Sequence, residues 1–134
     1  MISNYLNRNK HYFYFTFRIL VGFLFFVHGA QKLFGWFASK GTYAITTQLG
    51  LAGIIEIFVG ILIIIGLFTR YAAILGALLM IAAYYLVPMK RGLWPWQNGG
   101  ELAIIYFLIF LVFIALGAGK LALDNYIFEK TKEK

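Results

Sequence analysis

The 134-residue chain contains no cysteine. This excludes disulfide exchange, iron–sulfur clusters, thiolate zinc sites and cysteine nucleophiles, and with them a Cys-x-x-Cys thiol oxidase. Histidine is nearly absent as well. His11 lies in a polar N-terminal stretch and His28 in an apolar run, so a bis-histidine haem held by this chain alone is not expected, nor is a metal site. There is no Gly-rich phosphate loop and no G-x-S-x-G elbow. Charge is scarce too: 13% of residues are charged, roughly half the share found in soluble domains. Any chemistry must draw on carboxylates, one histidine, amides, tyrosines and lysine.

Apolar residues are abundant. Hydrophobic residues make up 62% of the chain, and the mean hydropathy is +0.81. That rules out a disordered chain and argues against a soluble monomer. A helix needs about 20 apolar residues to cross about 30 Å of hydrocarbon. The expectation is therefore an all-α, polytopic membrane protein: one domain, a bundle of four transmembrane helices, with the lipid bilayer as its partner. The net charge of +7 does not indicate nucleic acid, because the basic residues are scattered among apolar runs.

Charge-free runs place the spans at residues 18–36, 51–68, 71–89 and 101–118, with a polar tail at 119–134 that projects into water from Asp124 onward. Pro88, Pro95 and Gly99–Gly100 mark a loop before the last span. The first run is long and no small-residue cleavage site follows it, so it reads as a retained helix and not a signal peptide. Four spans place Arg8, Lys10, Arg18, Arg70, Lys120, Lys130, Lys132 and Lys134 on one side, against Lys32, Lys40, Lys90 and Arg91 on the other. The positive-inside rule then puts both termini in the cytoplasm of an inner membrane. Arg18 and Arg70 read as topology determinants. Trp36, Trp94 and Trp96 fall on the outer side, as interface anchors.

At about 1.5 Å per residue, His28 lies about 12 Å below the outer end of its helix, Glu56 about 9 Å and Lys32 about 6 Å. Glu101 is about 3 Å down, with Tyr84 and Tyr106 at about 6 and 10 Å. The ionisable groups inside the spans thus share one layer in the outer half of the bilayer. His28 and Lys32 are i,i+4 neighbours. Gly53, Glu56 and Gly60 form a small-residue stripe of the kind that marks close helix contact, which points Glu56 into the bundle. These positions outline an outward-facing pocket of His28, Gln31, Lys32, Glu56 and Glu101.

Each residue has two readings. Glu56 is either a proton acceptor or ligand-binding carboxylate, or helix glue bonded to His28 or Lys32. His28 either transfers a proton or simply satisfies a carbonyl. Lys32 and Glu101 are near enough to the interface for ordinary snorkelling and ion pairing. Tyr84 and Tyr106 read as packing aromatics.

The same residues carry a resemblance. Phe26-Val27-His28-Gly29-Ala30-Gln31-Lys32-Leu33-Phe34-Gly35 is similar to the H-G-x-x-K-L-x-G signature of the DoxX family of small membrane proteins. Glu56 with Gly60, then Gly66-Leu67-Phe68-Thr69-Arg70, resembles its E-x-x-x-G...G-L-x-x-R pattern. Asn98-Gly99-Gly100-Glu101-Leu102-Ala103 resembles its N-G-G-E-L-A element. Gly117-Ala118-Gly119-Lys120-Leu121-Ala122-Leu123-Asp124 is similar to its closing G-x-G-x-x-S-x-D, with Ala122 in place of the serine. The resemblance runs from about Arg18 to Asp124. It implies a four-helix membrane protein tied to redox metabolism. A related branch supplies the membrane subunit of a thiosulfate:quinone oxidoreductase, and another member joins a superoxide dismutase to a sulfurtransferase.

The resulting expectation is a quinone-interacting or redox-associated subunit that receives electrons from a redox protein partner. His28 and Glu56 are the candidate catalytic residues; Gln31, Lys32, Asn98 and Glu101 are the candidate ligand-binding residues. The rival expectation is a non-catalytic membrane anchor recruiting soluble redox or stress-defence enzymes. A solute or proton pathway fits less well, because the inner half lacks polar relay residues.

Overall fold

A computed structural model describes residues 2–37 and 41–128. Lys40, Lys130, Lys132 and Lys134, which entered the charge asymmetry, lie outside the described residues, as does the tail beyond Phe128. Among the described residues the architecture is all-helical: α1 (Ile2–Phe34), α2 (Gln48–Ile65), α3 (Thr69–Leu86), a 3-10 turn (Pro88–Arg91), α4 (Pro95–Asn98), α5 (Glu101–Leu116) and α6 (Leu123–Phe128). Three of these helices are long and apolar enough to cross a membrane: α1, α2, and α3 continued through the turn to Arg91. Helix α5 is equally apolar but has 16 residues, about 24 Å of rise against about 30 Å of hydrocarbon.

Glycine sets the helix ends. α1 begins at Ile2, well before residue 18, because no glycine or proline interrupts the chain until Gly22. Charge-free runs measure membrane depth, whereas the helix itself runs on through the polar stretch. Thr47 caps α2, its hydroxyl accepting the Gly50 N–H at 3.0 Å. Gly66, at φ 69°, closes α2 in a left-handed turn from which the Leu67 N–H returns to the Leu62 carbonyl. Gly117, at φ 71°, stops α5 at Leu116, short of residue 118.

The bundle has one tight seam and one wide one. Along α1 and α2, Gly22 faces the Gly60 carbonyl and Gly29 faces the Gly53 carbonyl, a single antiparallel register that brings the two backbones together. Between α1 and α5 the gap is filled by rings instead. Phe25 meets Tyr106 and Phe110 at 5.1 and 4.9 Å, and Tyr14 and Phe17 meet Phe113 at 6.1 and 5.6 Å. Gly76 on α3 makes room for the Phe110 ring. Phe25, Phe110, Phe113, Val59 and Ile63 form the centre of the core.

Two charged residues depart from the sequence expectation. Arg18 is 1% exposed and is a structural clamp, not a simple topology marker. Its guanidinium donates to the Ala118 carbonyl and, at 2.8 Å, to the Leu121 carbonyl, gathering the chain that leaves α5. It can do so because Gly117 and Gly119 turn those carbonyls inward at the end of the helix. Asp124 does not project into water. Its carboxylate accepts the N–H groups of Phe68 at 2.7 Å and Thr69 at 3.1 Å, and its own N–H donates to the Gly66 carbonyl. It thereby holds Phe68, a non-glycine residue at φ 49°, and caps α3.

Two stability predictions follow from this packing. A β-carbon on Gly29 would lie 2.5 Å from the Gly53 carbonyl oxygen, whereas one on Gly53 would come no nearer than 3.1 Å to the Leu33 side chain, 3.2 Å to that of Lys32 and 3.3 Å to the Gly29 carbonyl oxygen. Gly29→Ala is expected to cost about 1–3 kcal/mol and Gly53→Ala clearly less, read as unfolding midpoints of the purified protein. Asp124→Ala is expected to cost about 1–2 kcal/mol, with Asp124→Asn recovering part of the loss because its amide oxygen can still accept one N–H. Equal midpoints for Asp124→Ala and the wild type would refute the capping role.

Candidate functional site

Lys32 on α1 and Glu56 on α2 form an ion pair, with Nζ 2.5 Å from Oε1. The glycine register sets lysine and carboxylate about six residues apart along the shared axis, roughly 9 Å. Side chains tilt toward the N-terminus of their own helix, so in an antiparallel pair these two lean toward each other and close that gap. The pair is lopsided. The Glu56 side chain is 4% exposed and the Lys32 side chain 25%, so the lysine is partly exposed while the carboxylate stays inside. The second carboxylate oxygen, Oε2, is buried and has no hydrogen-bond partner among the described residues.

His28 lies one turn below Lys32 on α1. Its imidazole makes no hydrogen bond to Glu56 or Lys32 among the described residues; it stands edge-on to the ring of Tyr106, with centroids 5.8 Å apart. Tyr106 on α5 is 5% exposed, also packs on Phe25, and is within electrostatic reach of Glu56. It is the packing aromatic expected from the sequence, in the same layer as His28. The residues gathered at this level are therefore His28, Lys32, Glu56 and Tyr106, contributed by three helices.

The remaining candidates lie around this group. Gln31 donates to the Phe37 carbonyl at 3.3 Å and holds the turn leaving α1. Glu101 is exposed in the first turn of α5, where the helix dipole favours an acid, and the ion pair of Lys32 is with Glu56. Asn98 is buried and its amide is occupied. It donates to the Tyr84 hydroxyl at 3.0 Å and the Gly92 carbonyl at 2.8 Å, and accepts the Gly100 N–H at 2.8 Å. With Tyr84 donating to the Leu93 carbonyl, Asn98 knots together the loop between α3 and α5. Trp94 and Trp96 stack at 4.9 Å on that loop, at the same end as Trp36.

The arrangement sets a buried carboxylate oxygen, without a hydrogen-bond partner among the described residues, beside a lysine ammonium. Removing the Glu56 charge leaves Lys32 able to turn toward water. Removing Lys32 strands a buried carboxylate, which is the more costly change.

The DoxX family model matches residues 13–89, more than half of the chain and including His28, Lys32 and Glu56. A protein of Haemophilus influenzae with the name "Uncharacterized protein" is 42% identical over 133 residues, covering 95% of this chain and 99% of that one. A Bacillus subtilis protein named "Putative oxidoreductase CatD" is 31% identical over 86% of this chain and 87% of its own length. The "Uncharacterized membrane protein Rv3486" of Mycobacterium tuberculosis is 30% identical over 84% of this chain and 80% of its own. No solved structure matches the chain. With a buried intramembrane carboxylate on a helix bundle, a family match across that bundle and relatives similar over most of their length, the chain belongs to the DoxX family of membrane proteins.

Proposed function

We propose that this DoxX protein is a four-span, quinone-interacting subunit of a membrane oxidoreductase system, with α5 as the fourth span. The observation that carries this reading is Glu56 Oε2, buried without a hydrogen bond among the described residues beside a partly exposed lysine. An acid inside an apolar bundle is costly and marks proton or ligand handling by default. A quinone suits the surroundings, because its flat ring can lie against aromatic edges and its carbonyl oxygens need donors. Lys32 donates to one quinone oxygen. When the quinone takes two electrons from a redox protein partner and two protons to become the quinol, the Glu56 carboxylate takes one proton from water at the Lys32 end and passes it to one quinone oxygen, and water supplies the second proton to the other oxygen. His28 and Tyr106 border the ring, with Gln31 and Glu101 toward the mouth. The oxidoreductase name of the Bacillus relative supports the same reaction class.

A second reading rests on the same pair. Lys32–Glu56 ties α1 to α2, and in a non-catalytic anchor for soluble redox or stress-defence enzymes that tie is its whole purpose.

Titration of the purified protein with a short-chain benzoquinone separates the two. The wild type is expected to bind saturably and Glu56→Gln roughly tenfold more weakly, a loss of about 1.4 kcal/mol, with helicity and unfolding midpoint checked in parallel. No saturable binding by the wild type, together with intact capture of a redox partner, would leave the anchor reading standing.

Orientation is proposed from the charge asymmetry: an inner membrane, with both chain ends in the cytoplasm and the Lys32–Glu56 pair facing outward. A tag placed after Lys134 should resist an impermeant label in intact cells. Labelling of that tag would turn the site toward the cytoplasm.

A further inference from the structure

At the opposite end of the bundle from Lys32–Glu56, a cavity of about 730 Å³ opens between α1, the start of α3, the end of α5 and α6. Its volume falls in the range of about 300–1,000 Å³ typical of small-molecule sites. Arg70 and Lys120 line it, with His11 on the α1 side and Asp124 on the α6 side. The one lining carboxylate is already engaged, since both Asp124 oxygens accept backbone N–H groups of the turn into α3. Among the described residues neither Arg70 nor Lys120 has a carboxylate partner, the ion pair being Lys32–Glu56. Arg70 gives a single N–H to the Ala115 carbonyl at 3.3 Å, which leaves most of its five donors available. Thr69 also belongs to the wall but is itself fully buried. The cavity is therefore cationic, with guanidinium donors of Arg70 unused among the described residues.

Its level in the bundle narrows the ligand further. It sits where α2 ends, α3 begins and α5 ends, which is the level of the polar bilayer surface for helices that cross. Its rim carries Tyr71 and Leu116, 74% and 62% exposed, and Phe128 from α6. Such a rim suits hydrocarbon next to an anionic head. Basic pockets between helices at this depth recognise lipid phosphates. We propose that this cavity binds the phosphate-bearing headgroup of an anionic phospholipid, with Arg70 and Lys120 holding the phosphate and Tyr71, Leu116 and Phe128 lying along the acyl chains. The site is independent of the quinone reading, since it shares no residue with it.

The test is lipid retention by the purified full-length protein in mixed phosphatidylglycerol–phosphatidylcholine nanodiscs, measured by native mass spectrometry. The wild type is expected to favour phosphatidylglycerol by roughly 30-fold, the preference expected of two interfacial cations. Arg70→Gln/Lys120→Gln should bring the ratio close to one, and Lys90→Gln/Arg91→Gln at the other end should leave it unchanged. Lys120→Glu supplies a variant that leaves the Arg70–Ala115 bond in place, and it should lose most of the preference with an unaltered unfolding midpoint. A ratio unchanged in both cavity variants, or absent in the wild type, overturns the proposal. Displacement of the lipid by inorganic phosphate that binds saturably on its own would assign the cavity to a soluble phosphate and overturn the lipid assignment.

Discussion

The close approach of α1 and α2 is the constraint on which the rest of the molecule depends. Gly22, Gly29 and Gly60 leave no space for a β-carbon against the facing backbone, so the two helices have one register in which they fit. In membranes, where hydrocarbon offers helices no hydrophobic reason to associate, such backbone contact is a main source of attraction. The position of the ion pair follows from it. A slip of one turn would move Lys32 by about 5.4 Å relative to Glu56 and leave the carboxylate alone in the core.

The tight seam has a counterpart. Helices that touch through glycine on one side must be spaced by bulk on the other, and here Phe25, Tyr106, Phe110 and Phe113 provide it. The polar group of His28, Lys32, Glu56 and Tyr106 lies where the two regimes meet. Glu56 emerges from the glycine stripe, and Tyr106 belongs to the aromatic wedge.

Much of this was legible in the residues, and the misses share a cause. Gly53, Glu56 and Gly60 lie on one stripe of one helix, so helical periodicity alone placed the carboxylate inward. The matching glycines of α1 are spaced by seven among bulky aromatics and did not stand out. Depth along the axis put Glu101 near Lys32, but depth carries no azimuth. Glu101 is exposed, and Lys32 pairs with the acid across the seam. Asp124 was misplaced, and the burial of Arg18 unforeseen, for a similar reason. A charge tally treats each charged side chain as seeking water, whereas helix ends expose backbone carbonyls and N–H groups that can satisfy a buried guanidinium or carboxylate. The length of α5 was decided by the backbone at Gly117, which hydropathy does not register.

The two polar ends of the molecule are separated by an apolar core. Between the Lys32–Glu56 level and the Arg18 level the buried side chains among the described residues include Val21, Phe25, Val59, Phe110 and Ile63, all apolar. Glu56 gives one oxygen to Lys32, and among the described residues the other is buried without a hydrogen-bond partner, where most buried polar atoms have one.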